Sequence, residues 1–315
     1  MDEHAAHSHR HTHGHPAAHA HDASEPRLRI ALALILLLLG AEVVVGVLAH
    51  SLALLSDAGH MLTDAAALAL ALVAMRLARR PARGALTFGL RRVEVLSAQA
   101  NGVTLLVLAA FVVYEATRRL VSPPHVDAAP VLAVALAGAL VNVLAVSVVS
   151  GADRRSLSVE GSFQHLLTDL YGFLGTATAA IVILATGFRR ADPIVSLLIA
   201  GLMIRSGAGL VRSSGRIFLE AAPEGLDPRQ IGAALVAEPG VVEVHDLHVW
   251  EVTPALPALS AHVLVGRDCD CHDARRGMEA MLREHFGLHH TTLQVDHATP
   301  DLLAIEPLTP ARAGR

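Results

Sequence analysis

Six apolar stretches occupy the first two thirds of the chain, at approximately 28–49, 52–75, 93–117, 130–150, 157–185 and 192–211. Each meets the roughly 20 residues a helix needs to cross the hydrocarbon core of a bilayer. The pattern predicts a bundle of six transmembrane helices over residues 27–212. Before it, residues 1–26 show no apolar periodicity and read as a His-rich, unstructured tail. After it, the period changes. Asp227–Val236 reads as a short helix with Asp227 as N-cap and Pro228 in its first turn. Val241–Val252 is rich in strand formers. Pro257–Gly266 alternates, with Leu259, Ala261, Val263 and Val265 on one face. His272–Gly287 is helical and closed by Gly287, and Thr291–His297 is a third strand. The order αββαβ over residues 213–298 predicts a two-layer α+β module, and residues 299–315 read as a loose tail.

Composition agrees with a membrane protein. Of the 315 residues 53% are hydrophobic, 17% are charged, and the mean hydropathy is +0.48; ordinary soluble domains are about a quarter charged. All basic residues are Arg. Their placement predicts orientation, because short cytoplasmic loops carry the positive excess. Arg76, Arg79, Arg80, Arg83, Arg91, Arg92, Arg154, Arg155, Arg205, Arg212 and Arg216 fall on one side; Arg118, Arg119, Arg189 and Arg190 fall on the other. Both termini are therefore expected in the cytoplasm. Residues 1–26 lack the basic–apolar–small order of a secretory signal. Nothing in the charge balance points to nucleic acid.

Candidate chemistry sits inside the apolar stretches. His60-Met-Leu-Thr-Asp64 and His165-Leu-Leu-Thr-Asp169 are two copies of one pattern. On a helix, residues i and i+4 stack on one face. A charged group at membrane depth costs roughly 2.5–3.5 kcal/mol, so two such pairs are expected to act together. Two imidazoles and two carboxylates form a four-ligand set of the kind Zn²⁺ accepts. Gly161, His165, Asp169 and Gly172 share one stripe, with glycines that let a second helix approach. Asp57 shares the face of His60 and Asp64, as an acceptor orienting an imidazole or as an alternate fifth ligand, the former ranked first. Asn142 reads as a helix–helix contact. Eight His, from His4 to His21, suit loose binding of a divalent metal or a solvated tail without a role. Cys269-Asp-Cys271-His272 reads either as extra thiolate ligands or as a helix-start turn with incidental Cys.

Taken together, Ser51–Asp64, His165-x-x-x-Asp169, Asp246-Leu-His248-Val-Trp250 and Ala258-Leu-Ser-Ala-His262 resemble the cation diffusion facilitator family, over residues 28–298. The resemblance implies a homodimeric, multi-pass exporter in a bacterial inner or plasma membrane. It would move Zn²⁺ out of the cytoplasm by alternating access in exchange for protons, and so contribute to metal resistance. It also implies that the α+β module is a cytoplasmic, ferredoxin-like dimerisation domain. His60, Asp64, His165 and Asp169 match the transport ligands; His245, His262 and Asp296 match or lie near a regulatory metal site. Two features depart from the pattern: the 76–90 loop holds no His, Asp or Glu, and the loop between the fourth and fifth helices is short and His-free. Export of Cd²⁺, Co²⁺, Ni²⁺ or Fe²⁺ is an alternative, and so is a membrane metal sensor or store that does not transport. No H-E-x-x-H, G-x-S-x-G or P-loop occurs, and a filled four-ligand set leaves no open position for a hydrolytic water. The chain is therefore not expected to be an enzyme.

Overall fold

The structure is a computed structural model. It describes residues 16–48, 52–122, 128–298 apart from 153, 155 and 255, and for 16–23, 42, 45, 46, 48 and 52–60 the backbone alone. The chain divides into two compact units at Leu219–Glu220.

The first unit is helical: α1 (Pro16–Leu48), α2 (Leu52–Ala78), α3 (Val93–Val121), α4 (Ala128–Ser150), α5 (Leu157–Thr186) and α6 (Ala191–Phe218). Among the described residues, five helices are long and apolar enough to cross a membrane, in α2 to α6. The first expected span lies within α1. The sequence pattern predicts no structure over residues 16–26, yet α1 begins at Pro16, eleven residues before the expected domain start at 27. Proline suits the first turn of a helix because its missing N–H would be unpaired there anyway. Where its side chains are first described, the helix is held by charge as well as by apolar contact. Buried Glu25 accepts a hydrogen bond from Arg76 of α2 at 3.0 Å, pairs with Arg79 at 3.1 Å and also bonds Arg29 one turn on.

Four helices share one core. Leu28 and Ile35 of α1, Leu68 and Met75 of α2, Val149 of α4, and Val159 and Leu166 of α5 are all buried in it. α3 and α6 form a separate pair around Leu105, Ala109, Met203 and Leu210. Glycine makes that pair possible: a Cβ on Gly102 would lie 2.9 Å from Leu210 Cβ and 3.0 Å from the Gly207 carbonyl. Small residues allow such backbone approach where lipid provides no hydrophobic drive between helices. At α4, a Cβ on Gly138 would lie 2.3 Å from the Phe173 ring of α5.

The second unit runs α7 (Pro228–Val236), β1 (Val241–Thr253), β2 (Leu256–Val265), α8 (Cys271–Phe286) and β3 (His290–His297). The sheet order is β1-β2-β3. β3 lies parallel to β2, with Ala261 opposite Leu293, and α8 is the crossover that parallel neighbours require. Leu259, Ala261, Val263 and Val265 face a core completed by Ile231, Leu235, Met278 and Leu282. Both helix starts are capped as side-chain chemistry dictates. Asp227 accepts from Arg229 N–H at 2.9 Å, and Asp270 from the N–H groups of His272 and Asp273 at 2.8 and 3.1 Å. α8 ends at Gly287 with φ +67°, a left-handed cap that glycine adopts without strain.

Candidate metal site

α5 carries His165 and Asp169 one turn apart, and α2 carries Asp64 facing them. His165 Nε2 meets Asp64 Oδ1 at 2.8 Å and lies 3.6 Å from Asp169 Oδ2. His165 and Asp64 are buried, and the Asp169 side chain is only 11% exposed. Ligand atoms of these three residues all lie within 4.8 Å of one another. Bonds of ~2.1 Å at tetrahedral angles place zinc ligand atoms about 3.4 Å apart. Closing the trio on a cation therefore asks for rotamer-scale movement. With Nε2–H donating to Asp64, the buried Nδ1 of His165 has no hydrogen-bond partner among the described residues. Apolar contacts hold the two helices together here: Met61, Ala65 and Leu68 of α2 pack in the same core as Phe163 and Leu166 of α5.

The His60 and Asp57 side chains lie outside the described residues. The α2 backbone does place residue 60 one turn before Asp64 on the same helical face. His4 to His15 also lie outside the described residues, as do the side chains of His19 and His21. The glycine stripe works differently from its sequence expectation. Gly161 packs against Asn101 Nδ2 of α3 and Leu210 of α6, not against α2, and a Cβ on Gly172 would meet nothing within 4 Å.

In the second unit, His245 of β1 and His262 of β2 meet edge to face, ring centroids 5.4 Å apart. Asp296 is not drawn to them; it accepts from Gln294 at 2.9 Å on β3. Two further residues crowd the pair. Asp246 accepts from His248 Nε2 at 2.9 Å, and its other oxygen lies 4.0 Å from His262 Nε2. Asp246 sits at φ +53°, in the left-handed region that Asp tolerates better than most residues. The conformation acts as a bulge: Val244, Leu247 and Val249 face the core, so His245 and His248 both point outward despite standing three apart. The Asp246-Leu-His248 run was legible in sequence; the bulge that gathers it was not. Cys269 and Cys271 are free and half-buried at the start of α8, packed against the module's core. Here Cys269-Asp-Cys271-His272 is a helix-start turn. The backbone N–H groups of Asp273 and His272 hold the Asp270 carboxyl below the usual range. Among the described residues, only Asp64, His165 and Asp169 gather at metal-binding distances.

Apolar helices enclosing a buried imidazole–carboxylate cluster, joined to a small α+β module, define a class of multi-pass membrane protein with polar groups packed between its helices. Residues 28–219 match the cation efflux transmembrane domain, and residues 223–298 match the cytoplasmic domain of cation efflux proteins. The chain belongs to the cation efflux, or cation diffusion facilitator, family, whose members are transporters and not enzymes. It is 37% identical over 260 residues to the cadmium, cobalt and zinc/H(+)-K(+) antiporter of Bacillus subtilis, covering 81% of this chain and 83% of that protein. It is 39% identical over 259 residues to the zinc transporter ZitB of Escherichia coli, covering 81% and 82%. It is 37% identical over 259 residues to the metal cation efflux system protein CzcD of Cupriavidus metallidurans, covering 82% of each.

Proposed function

We propose that this chain exports divalent metal cations, Zn²⁺ foremost, from the cytoplasm by alternating access in exchange for protons. His60, Asp64, His165 and Asp169 are the cargo ligands in this reading, and Asp57 orients an imidazole from the same face of α2. One observation carries it: Asp64, His165 and Asp169, from two helices, place ligand atoms within 4.8 Å of one another, the first two buried and the third nearly so. Buried carboxylates in an apolar bundle are costly unless charge or hydrogen bonds compensate them. A cation supplies that compensation in one state, and protons supply it in the other. Metal and proton compete for the same lone pairs, and imidazole is the group whose ordinary pKa lies nearest cytoplasmic pH. The 2.8 Å contact between His165 and Asp64 is the bond an arriving cation has to replace.

The rest of the reading follows the family. α1 provides a sixth span, both termini lie in the cytoplasm of a bacterial inner membrane, and the αββαβ module is ferredoxin-like. The working unit is a homodimer, formed through that module. A regulatory cation would be held by His245, His262 and Asp296, which requires the Asp296 carboxylate to leave Gln294. The residues taken to hold the cargo do not single out zinc among softer divalent ions. Cd²⁺ and Co²⁺ are therefore second cargoes, as the printed name of the Bacillus subtilis relative suggests.

Proteoliposome flux with an imposed pH gradient tests this reading. Zn²⁺ should move against the proton flow. His165→Ala should reduce transport to the rate of protein-free vesicles while inserting normally. Undiminished flux through that variant would remove the assignment.

A further inference from the structure

We infer that Asn101 of α3 is a positioning residue for the metal-binding face of α5. The inference rests on the proposed cargo site and names a residue outside it. Asn101 is 8% exposed, and its Nδ2 donates to the Gly161 carbonyl at 3.0 Å. In an α-helix that carbonyl also accepts from the N–H four residues on, which here is His165. A single oxygen thus receives the α3 amide and the backbone of the buried imidazole. The amide orientation is fixed by this contact, since the flipped form would set Oδ1 against the carbonyl oxygen.

A second point of attachment lies two turns earlier. Glu94, seven residues before Asn101 and on the same face, is buried. Its carboxylate accepts from Ser156 at 2.8 Å, and its carbonyl accepts from Ser158 at 3.1 Å. α3 and α5 therefore run side by side, fastened at Glu94–Ser156 and again at Asn101–Gly161. α3 is itself tightly seated on α6 through Gly102 and Gly207, and Leu210 of α6 touches the Gly161 position. Two anchors on one helix fix both its height and its rotation. The upper anchor sits one turn from His165, so it sets where Nε2 stands relative to Asp64 on α2. A single hydrogen bond serving only to glue helices would have no reason to act on cargo affinity. One that fixes a ligand's backbone does, because partners that orient ligands typically change metal affinity about 10- to 100-fold when lost.

The test uses full-length protein in proteoliposomes, with Zn²⁺ as cargo, and reads KM and Vmax separately alongside the thermal unfolding midpoint. Asn101→Ala removes the donor. The near-isosteric Asn101→Leu keeps the volume and offers the carbonyl no donor, and it gives the same reading should the alanine variant fail to insert. His165→Ala is the reference for the site itself. The expected result is loss of transport in His165→Ala and a KM raised about tenfold in the Asn101 variants. If His165→Ala is inactive and the Asn101 variants keep KM within about fivefold of wild type, whatever happens to Vmax or to thermal stability, the positioning role is overturned and the cargo site stands. If His165→Ala transports normally, the cargo site and the positioning role fall together.

Discussion

Glycine in this chain means different things at positions that look alike. Gly138 and Gly172 each lie in a long apolar helix. At Gly138 the Phe173 ring fills the space a methyl would need; at Gly172 the space is open. Gly138→Ala should therefore destabilise the bundle by about 1–3 kcal/mol through overpacking. Gly172→Ala should be neutral, or stabilising by up to about 1 kcal/mol, because a mid-helix glycine is replaced without a clash. Thermal unfolding in one detergent compares the two directly, and equal midpoints would contradict the packing described. The sequence placed Gly161, His165, Asp169 and Gly172 on one stripe, and the backbone agrees. It could not tell which neighbour each glycine faces, because spacing along one helix carries no information about the helix opposite. The partner of Asn101 is a backbone carbonyl on α5, which no side-chain pattern reveals.

Helices and strands were the most legible level, for a local reason. Asp227, Pro228 and Gly287 mark ends by side-chain and backbone chemistry that needs no tertiary context. Residues 16–26 carry no apolar period that would announce the start of α1, and the tie from Glu25 to Arg76 of α2 joins residues 51 apart in sequence. The cap at α8 has a measurable consequence. Hydrogen bonds from Asp273 and His272 hold the Asp270 carboxyl below its ordinary value. Its contribution is therefore complete above the unfolded value, near 3.9, and disappears as pH falls through the lower folded value. Amide exchange in the first turn of α8 should accelerate, after correction for the intrinsic rate, on acidification through that window. Asp270→Ala should show fast exchange there at every pH. If wild type and variant exchange alike at neutral pH, the cap contributes nothing.

At the scale of the whole molecule, five long apolar helices and α1 leave their pairing open. Only side-chain fit separates the four-helix core from the α3–α6 pair. Removing residues 1–15, which ends short of Pro16 and so leaves α1 intact, should weaken zinc flux at low metal concentration without abolishing it. Complete loss of flux would show that the tail does more than collect metal. The α+β module offers a sharper case. With Asp246 as an extra residue in β1, the strand changes frame midway, like a zip with one doubled tooth. Excising that residue would restore plain alternation, with Val244, Leu247 and Val249 still on the core and His245 and His248 still outward, and would remove the carboxylate set between His248 and His262. One missing codon there would spare the module's apolar face and take away the acid that gathers its outer imidazoles.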